Sequence, residues 1–347
     1  MSTPHEEDHG MSGIADVARL AGVSKSTASR ALTGGGYVSD GTRQRVADAA
    51  ASLGYVPSTS AVSLATGRTR TIALIVPKVN RWYFGSIVEG VERTLIPLGY
   101  DVTLYVAEPG SNDRESLYST YLARKRFDGI IAVALEPDDA DLERLANIGK
   151  PVVSIGNALS GVPTLGLDNI AITRIITQHL IALGHTDIAF VGSTPRSDAP
   201  AKDVDERSIG YRNAMNDHGL AVRIRSVPST LTITDAYAAA ASFLADAASR
   251  PTGVVAACDE VAIGVIIAAR RMGISVPTEL SVVGIDGHDY AEMFSLTTIE
   301  QFPQAQGVEA TRMLLSMIEG TGDHPAWRTE ADTRLVVRAS TAPPRSA

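Results

Sequence analysis

The chain has 347 residues, 44% apolar and 20% charged, which suits a soluble globular protein of two to three domains able to bury a sizeable core. Its single cysteine, Cys258, excludes an internal disulfide framework and points to a reducing compartment, and no apolar stretch is long enough to cross a bilayer. The formal net charge of −8, taken whole, argues against a nucleic-acid partner.

Residues 1–12 are polar and expected to be disordered. Their start around His5-Glu6-Glu7-Asp8-His9 has no cationic or apolar export signal, and the two histidines read as solvated rather than metal-binding. Residues 13–57 read as an all-α head. Val17, Ala18 and Ala21 make one small apolar helical face, Gly22 supplies a sharp turn through its freedom at φ > 0, and Val23 plugs the space between two helices. Ser24 is placed to cap the second helix by accepting from the amide of Ser26 or Thr27. That helix presents Lys25, Ser26, Thr27, Ser29 and Arg30 while Ala28, Ala31 and Leu32 turn inward. Short donors and cations on one short face suit a major groove, so the segment reads as a helix-turn-helix. A third helix is expected from Asp40 to Leu53, with Ser39 as N-cap, Val46, Ala49, Ala50 and Leu53 inside, and Gly54 ending it.

Local charge supports a DNA-facing head. Residues 13–70 carry seven Lys and Arg against three Asp and Glu, whereas residues 71–347 carry 24 against 33. Residues 58–70 form a Ser-, Thr- and Ala-rich hinge and linker that is only a marginal helix by itself, and Leu64 within it has no evident core to enter.

From Thr71 onward short β-rich runs alternate with amphipathic helices. Strands are expected at Ile72–Val76, Asp101–Val106, Gly129–Ala134, Val152–Ile155, Ile188–Gly192, Gly253–Cys258 and Ser281–Asp286. Helices are expected at Phe84–Leu98, Leu117–Arg126, Ile170–Leu183, Ser208–His218, Asp235–Ala248, Glu260–Met272 and Gln304–Ile318. The strands are nearly continuous in Val, Ile and Ala, as for parallel strands covered on both faces. There are too many units for one sheet, so the core reads as two doubly wound α/β lobes whose strand ends face each other across a ligand cleft. Three adjacent aromatics, Trp82, Tyr83 and Phe84, cannot all point into a helix core, so at least one should face that cleft and stack on a ligand ring. Asp259 and Asp286 stand at strand ends, where carboxylates can accept from hydroxyl pairs. Two plainer readings stay open: Asp259 as cap of the helix from Glu260, and Arg207 with Asp286 as an ion pair between lobes.

Several motifs carry a resemblance. They are Asp16-Val17-Ala18-Arg19-Leu20-Ala21-Gly22-Val23-Ser24, Tyr37-Val38-Ser39, Leu53-Gly54-Tyr55-Val56-Pro57 and Leu64-Ala65-Thr66-Gly67-Arg68-Thr69, then His179-Leu180, Leu183-Gly184-His185, Ser281-Val282-Val283-Gly284 and Leu296-Thr297-Thr298. In this order and spacing, from Gly13 to about Ala339, the chain resembles the LacI/GalR family of bacterial transcription regulators. The resemblance implies a DNA-binding head, a hinge helix and a periplasmic-binding-protein-like core with three crossings between lobes. The N-lobe would take about 71–166 plus 302–329, and the C-lobe about 167–301 plus 330–340. It places Lys25, Ser26 and Arg30 at base-reading positions, and Thr27, Ser29, Ser39, Thr42 and Arg43 at sugar-phosphate positions. Leu64 matches the leucine that wedges into the minor groove at the operator centre. Arg207 matches an arginine that donates to ligand hydroxyls, Asn157 follows the fourth strand, and Leu231 stands where an aromatic is frequent. Gly156, Cys258 and Gly287 stand where two aspartates and an asparagine are frequent, which lowers the fit to an ordinary hexose.

The implied function is a sequence-specific, homodimeric regulator, in the main a repressor, that binds a pseudo-palindromic operator and responds to a sugar, nucleoside or related metabolite in the cytoplasm. The chain carries no P-loop, dinucleotide fingerprint, paired-histidine zinc motif or serine elbow, and Cys258 has no histidine base nearby in sequence. No catalytic site, cofactor or metal is expected. The rival reading, a free-standing solute-binding protein, is opposed by the basic head.

Overall fold

A computed structural model describes residues 13–34, 36–56, 63, 66–108, 111, 113–136, 138–193, 202–321 and 327–345. By internal packing the chain divides into residues up to Thr71 with Arg126–Asp128, and the remainder. In the first unit α1 (Ile14–Leu20), α2 (Lys25–Thr33) and α3 (Asp40–Ser52) enclose Val17, Ala18, Ala21, Ala28, Ala31, Val38, Val46, Ala49 and Ala50, with Ile14, Val23, Leu32, Leu53 and Tyr55 around them. Alanine dominates this core because three short helices must approach closely to bury anything in so small a unit. Gly22 takes φ 66 at the turn, and Ser24 caps α2 by accepting from Thr27 N at 3.1 Å. The expected cap at Ser39 differs: its hydroxyl donates to Thr42 Oγ1 at 3.0 Å and makes no bond to a backbone amide. Residues 1–12 and Leu64 lie outside the described residues, as does most of the expected hinge. Past it, the Thr69 amide and hydroxyl and the Arg70 amide all donate to the Asp128 carboxylate, at 2.8, 3.1 and 2.9 Å.

The second unit holds two six-stranded sheets. In the N-lobe these are β1 (Thr71–Val76), β2 (Asp101–Val106), β3 (Gly129–Val133), β4 (Val152–Ile155), β5 (Thr164–Gly166) and, from far along the chain, β11 (Arg328–Glu330), in the order β11-β5-β4-β3-β1-β2. The C-lobe has β6 (Ile188–Ser193), β7 (Arg225–Pro228), β8 (Gly253–Ala256), β9 (Ser281–Asp286), β10 (Thr297–Glu300) and β12 (Arg334–Val336), ordered β12-β10-β9-β8-β6-β7. β12 runs antiparallel to β10, whereas β1, β3, β4, β5 and β11 pair in parallel, as do β6 to β10. The helices are α4 (Trp82–Leu95), α5 (Asp113–Ser116), α6 (Asp139–Ile148), α7 (Asn169–Ala182), α8 (Lys202–Asp217), α9 (Ile233–Phe243), α10 (Asp259–Arg271) and α11 (Pro303–Glu319). After α5 the helix changes to a π turn and then a 3-10 turn up to Arg124, where a single regular helix was expected. Strands β5, β7, β10, β11 and β12 and helix α6 are not anticipated by the sequence; β5, β11 and β12 have three residues each, and β7 and β10 are four-residue strands of mixed composition, unlike the apolar β4 and β8. β8 stops at Ala256 rather than Cys258, and α9 ends at Phe243 rather than near Ala248.

The chain passes between the sheets three times, after β5, after β10 and after β11. In each sheet the first strand of its lobe lies beside the third, so the order reverses there. Crevices at such reversals, outside the carboxyl ends of strands, are where ligands bind in this architecture. Glycines set the helix packing: a Cβ on Gly264 of α10 would lie 2.5 Å from the Ile233 carbonyl oxygen of α9, and one on Gly307 of α11 would lie 2.5 Å from that of Ile87 in α4. Among the described residues no helix is long and apolar enough to cross a membrane.

Candidate DNA interface and interlobe cleft

On the head, α2 exposes Lys25, Ser26 and Arg30, with Thr27 and Ser29 half-buried beside them. The Ser24 hydroxyl lies 2.9 Å from Ser26 Oγ and 2.8 Å from Thr27 Oγ1, gathering three hydroxyls at the positive N-terminal end of the helix. Arg30 lies back along α2, its Nε donating to the Ser26 carbonyl at 3.2 Å, which leaves its terminal nitrogens for a partner. Arg43 has a structural duty as well: Nη1 donates to the Ala31 carbonyl at 3.0 Å and ties α3 to the end of α2. Thr42 is held between Ser39 and Arg45, and Ser39 is exposed.

In the core, the expected cleft residues sit at carboxyl ends of strands: Trp82, Tyr83 and Phe84 after β1, Asn157 after β4, Arg207 after β6, Leu231 after β7, Asp259 after β8 and Asp286 at the end of β9. Strained backbone gathers at the same ends, with φ of 46° at Ala134, 140° at Asp286 and 49° at Phe302. The three aromatics take three directions. Phe84 packs on the N-lobe core and meets Tyr83 edge-on at 5.5 Å. Trp82 crosses to the C-lobe and stacks on His288, with centroids 4.9 Å apart. The Tyr83 hydroxyl donates to Gln306 Oε1 at 2.9 Å, Gln306 Nε2 donates to the Gln301 carbonyl at 2.6 Å, and Gln301 Nε2 donates to Asp286 Oδ1. Tyr83 and Asp286 are thereby joined across the lobes by two glutamines. Burial raises the Tyr83 hydroxyl above its ordinary value.

Arg207 is buried, donating from Nε to Asn169 Oδ1 at 2.9 Å and from Nη1 to the Ala257 carbonyl at 2.6 Å. Arg207 and Asp286 both stand on the C-lobe, so they do not form the ion pair between lobes that was the plainer alternative. Burial pushes the Asp286 carboxyl well above the usual carboxylate range, against the pull of Arg207. Asp259 is committed inside the C-lobe. It accepts from Thr298 Oγ1 at 2.7 Å and from the His288 amide at 2.8 Å, and a Cβ on Gly284 would overlap it. It makes no side-chain cap for the helix, and it is wholly buried, so no ligand hydroxyl reaches it. Leu231 packs on the C-lobe core. Asn157 is buried, donates to the Leu135 carbonyl at 3.3 Å, and lines a cavity of about 260 Å³ with Leu135, Leu142 and Leu159.

Two of the three departures have a local backbone cause. Gly156 takes φ 89, and Gly287 takes φ 72 with a Cβ position 2.6 Å from Glu300 Cγ, so a side chain fits neither comfortably. Cys258 is buried, and burial pushes its thiol up to about 12, which makes it inert as a nucleophile. Among the described residues no cluster of His, Cys, Asp or Glu could hold a metal ion.

Residues 13–58 match the family model described as bacterial regulatory proteins, lacI family, and residues 177–341 match a periplasmic binding protein-like domain. The HTH-type transcriptional repressor PurR of Vibrio campbellii is 33% identical over 94% of this chain and 98% of its own length. The chain belongs to the lacI family. The HTH-type transcriptional regulators DegA of Bacillus subtilis and CelR of Thermobifida fusca, at 31% and 34% identity over 95% and 93% of the chain, and over 98% and 96% of their own lengths, are further similar members. Among solved structures, a CelR–cellobiose complex is similar at TM-score 0.66 and 31% identity, covering 95% of this chain and 99% of that one. A lacI-family regulator of Enterococcus faecium with bound ribose is similar at 0.69 and 26%, covering 79% and 99%. The lac repressor dimer on its operator shares the fold at TM-score 0.82, covering 96% and 100%, with 24% identity.

Sequence reading of this lacI-family chain missed Gln301 and Gln306, which join Tyr83 to Asp286, and the lobe-bridging residues Arg81, Glu260 and His288. A usable signal existed for two of them: Arg81 and Glu260 each adjoin a residue already singled out, Trp82 and Asp259.

Proposed function

We propose that the chain is a homodimeric repressor whose hold on a pseudo-palindromic operator is set by a hydroxylated metabolite, a sugar or nucleoside, bound between its lobes. The observation that carries this is the pairing, in one chain, of an α2 that exposes Lys25, Ser26 and Arg30 with strand ends that converge on Tyr83, Arg207 and Asp286. Arg30 grips guanine O6 and N7, Lys25 and Ser26 reach neighbouring bases, and Thr27, Ser29, Ser39, Thr42 and the free nitrogens of Arg43 hold phosphates. Leu64, one per subunit, wedges into the minor groove at the centre. In the cleft, Trp82 and Tyr83 supply the aromatic faces with Phe84 packed behind them, Arg207 and Asp286 the polar grip and Asn157 the N-lobe contact, while Asp259 and Leu231 support them from behind. Support for a hydroxylated ligand comes from the cellobiose and ribose complexes of similar proteins, and support for repression from the relatives named as repressors. Exposed Ile96, Leu98, Leu104, Val106 and Tyr121 lie on and around edge strand β2, an apolar face that a second copy would cover.

Control follows from linkage: the effector changes operator affinity only by as much as it prefers one lobe arrangement over the other. The protein works as a binder in the cytoplasm, with no catalytic step and no cofactor. A thermal-shift screen of the full chain against sugars, nucleosides and sugar phosphates should raise the melting temperature for one class. Footprinting on genomic fragments with and without that compound should then show one short protected sequence whose occupancy changes. No protected sequence under any metabolite condition would falsify the reading.

A further inference from the structure

We infer that Arg81 and Trp82 of the N-lobe, with Glu260 and His288 of the C-lobe, form a clasp across the cleft that sets how readily the lobes part. Arg81 immediately precedes α4, and its guanidinium pairs with Glu260 of α10 while Nη2 lies 3.8 Å from the buried Cys258 sulfur. The two side chains are only 17% and 16% exposed, so water screens this pair far less than a surface one. The buried Nε of Arg81 has no hydrogen-bond partner among the described residues, so the pair with Glu260 is the main polar anchor of this guanidinium. The next residue, Trp82, lays its ring on His288 at 4.9 Å and 27°.

His288 is itself held in place. Its amide donates to Asp259 at 2.8 Å, and its Nδ1 accepts the Tyr290 amide at 3.0 Å, which fixes the neutral ring with its proton on Nε2. Tyr290 closes the far side of the ring at 4.9 Å. Asp259 is therefore a positioning residue: it orders the loop that presents His288, while its neighbour Glu260 takes Arg81. Two consecutive residues on one lobe thus grip two prepared groups on the other, by charge and by stacking. Opening the lobes must break both contacts together.

The closure does not depend on the effector assignment; that an effector enters only when the clasp releases does rest on it. The chain has two tryptophans, and Trp327 is 70% exposed, so a Trp327→Phe full-length protein reports on Trp82 alone. In that background acrylamide should quench Trp82 weakly. Glu260→Gln removes the Arg81 partner without altering either stacked ring, and should shift the closed-to-open ratio about tenfold, seen as at least a doubling of the quenching constant. Arg81→Lys should give a smaller rise, because a point charge replaces the fork. Unchanged far-ultraviolet circular dichroism confirms that each variant is folded. The inference is overturned if Trp82 in the parent is as accessible as free indole, or if Glu260→Gln leaves its quenching unchanged. A wrong effector reading shows differently, as a parent whose Trp82 responds to no metabolite while Glu260→Gln still opens it.

Discussion

Gly264→Ala is a sharp test of how the cleft helices are seated. Gly264 lies in α10, five residues after Asp259, and faces α9. An added Cβ would stand 2.5 Å from the Ile233 carbonyl oxygen, 2.8 Å from Ala236 Cβ and 2.9 Å from Tyr237 N. Two of those atoms are backbone, so relief requires the helices to separate by about 0.7 Å, a gap that forfeits about a quarter of each dispersion contact along the alanine-rich seam. Better helix propensity returns about 1 kcal/mol, against about 3 kcal/mol of overpacking and lost contact. The net loss of about 2 kcal/mol should lower the melting temperature by about 4–8 °C in a domain of this size. Gly85→Ala is the control: that glycine is also helical, with nothing within 4 Å of its Cβ position, and the change should leave stability level or raise it slightly. Calorimetry of both variants decides the matter. A Gly264→Ala protein melting at or above the parent would refute the claim that backbone contact sets the spacing of these helices.

Other outcomes follow from the proposed function and from the structure. Arg30→Ala should lower discrimination at one guanine by about 1–3 kcal/mol while shifting non-specific binding little, measured by competition with variant operators. Leu64→Ala should weaken operator binding far more than non-specific binding; equal losses would remove the wedge. Asp286 has a carboxyl pushed up by burial, so between the ordinary aspartate value near about 4 and its own higher value the folded protein holds a proton that the unfolded chain has released. Its contribution to stability therefore falls as pH rises through that window. The melting temperature of Asp286→Asn relative to the parent should climb from pH 4 toward neutrality, and a flat difference would contradict the burial. His185 sits between Thr252, Ser281 and the Ala342 carbonyl at 2.9–3.0 Å, so His185→Ala should cost about 2–4 kcal/mol in chemical unfolding.

The long buried strands and the head were legible because each carries a dense local signal. β1 and β9 are runs of apolar residues, and the head sets small side chains at helical spacing around Gly22. The short strands were not legible: β5, β11 and β12 have three residues each and are defined by partners more than a hundred residues away or across a chain crossing, information that no local pattern holds. At the cleft, Asp286 drew attention as a carboxylate at a strand end, Tyr83 as one of three adjacent aromatics and Arg207 through the family resemblance alone. The glutamines between them did not, since an amide that bridges two lobes looks in sequence like any surface amide. Asp259 shows the opposite limit: a carboxylate at a strand end reads as a ligand group, and only the neighbouring Gly284 and Thr298 reveal that it is sealed inside.

Neither lobe is a continuous stretch of chain, and this governs the order in which the protein can be made. The rim strand Arg328–Glu330 completes the first sheet by joining Thr164–Gly166, laid down some hundred and sixty residues earlier, and Arg334–Val336 completes the second only moments later. Until those two strands leave the ribosome, Thr164–Gly166 and Thr297–Glu300 lack their outer neighbours, an invitation to the wrong strand. A ribosome that stalls before Arg328 would release two unfinished lobes rather than one finished and one missing.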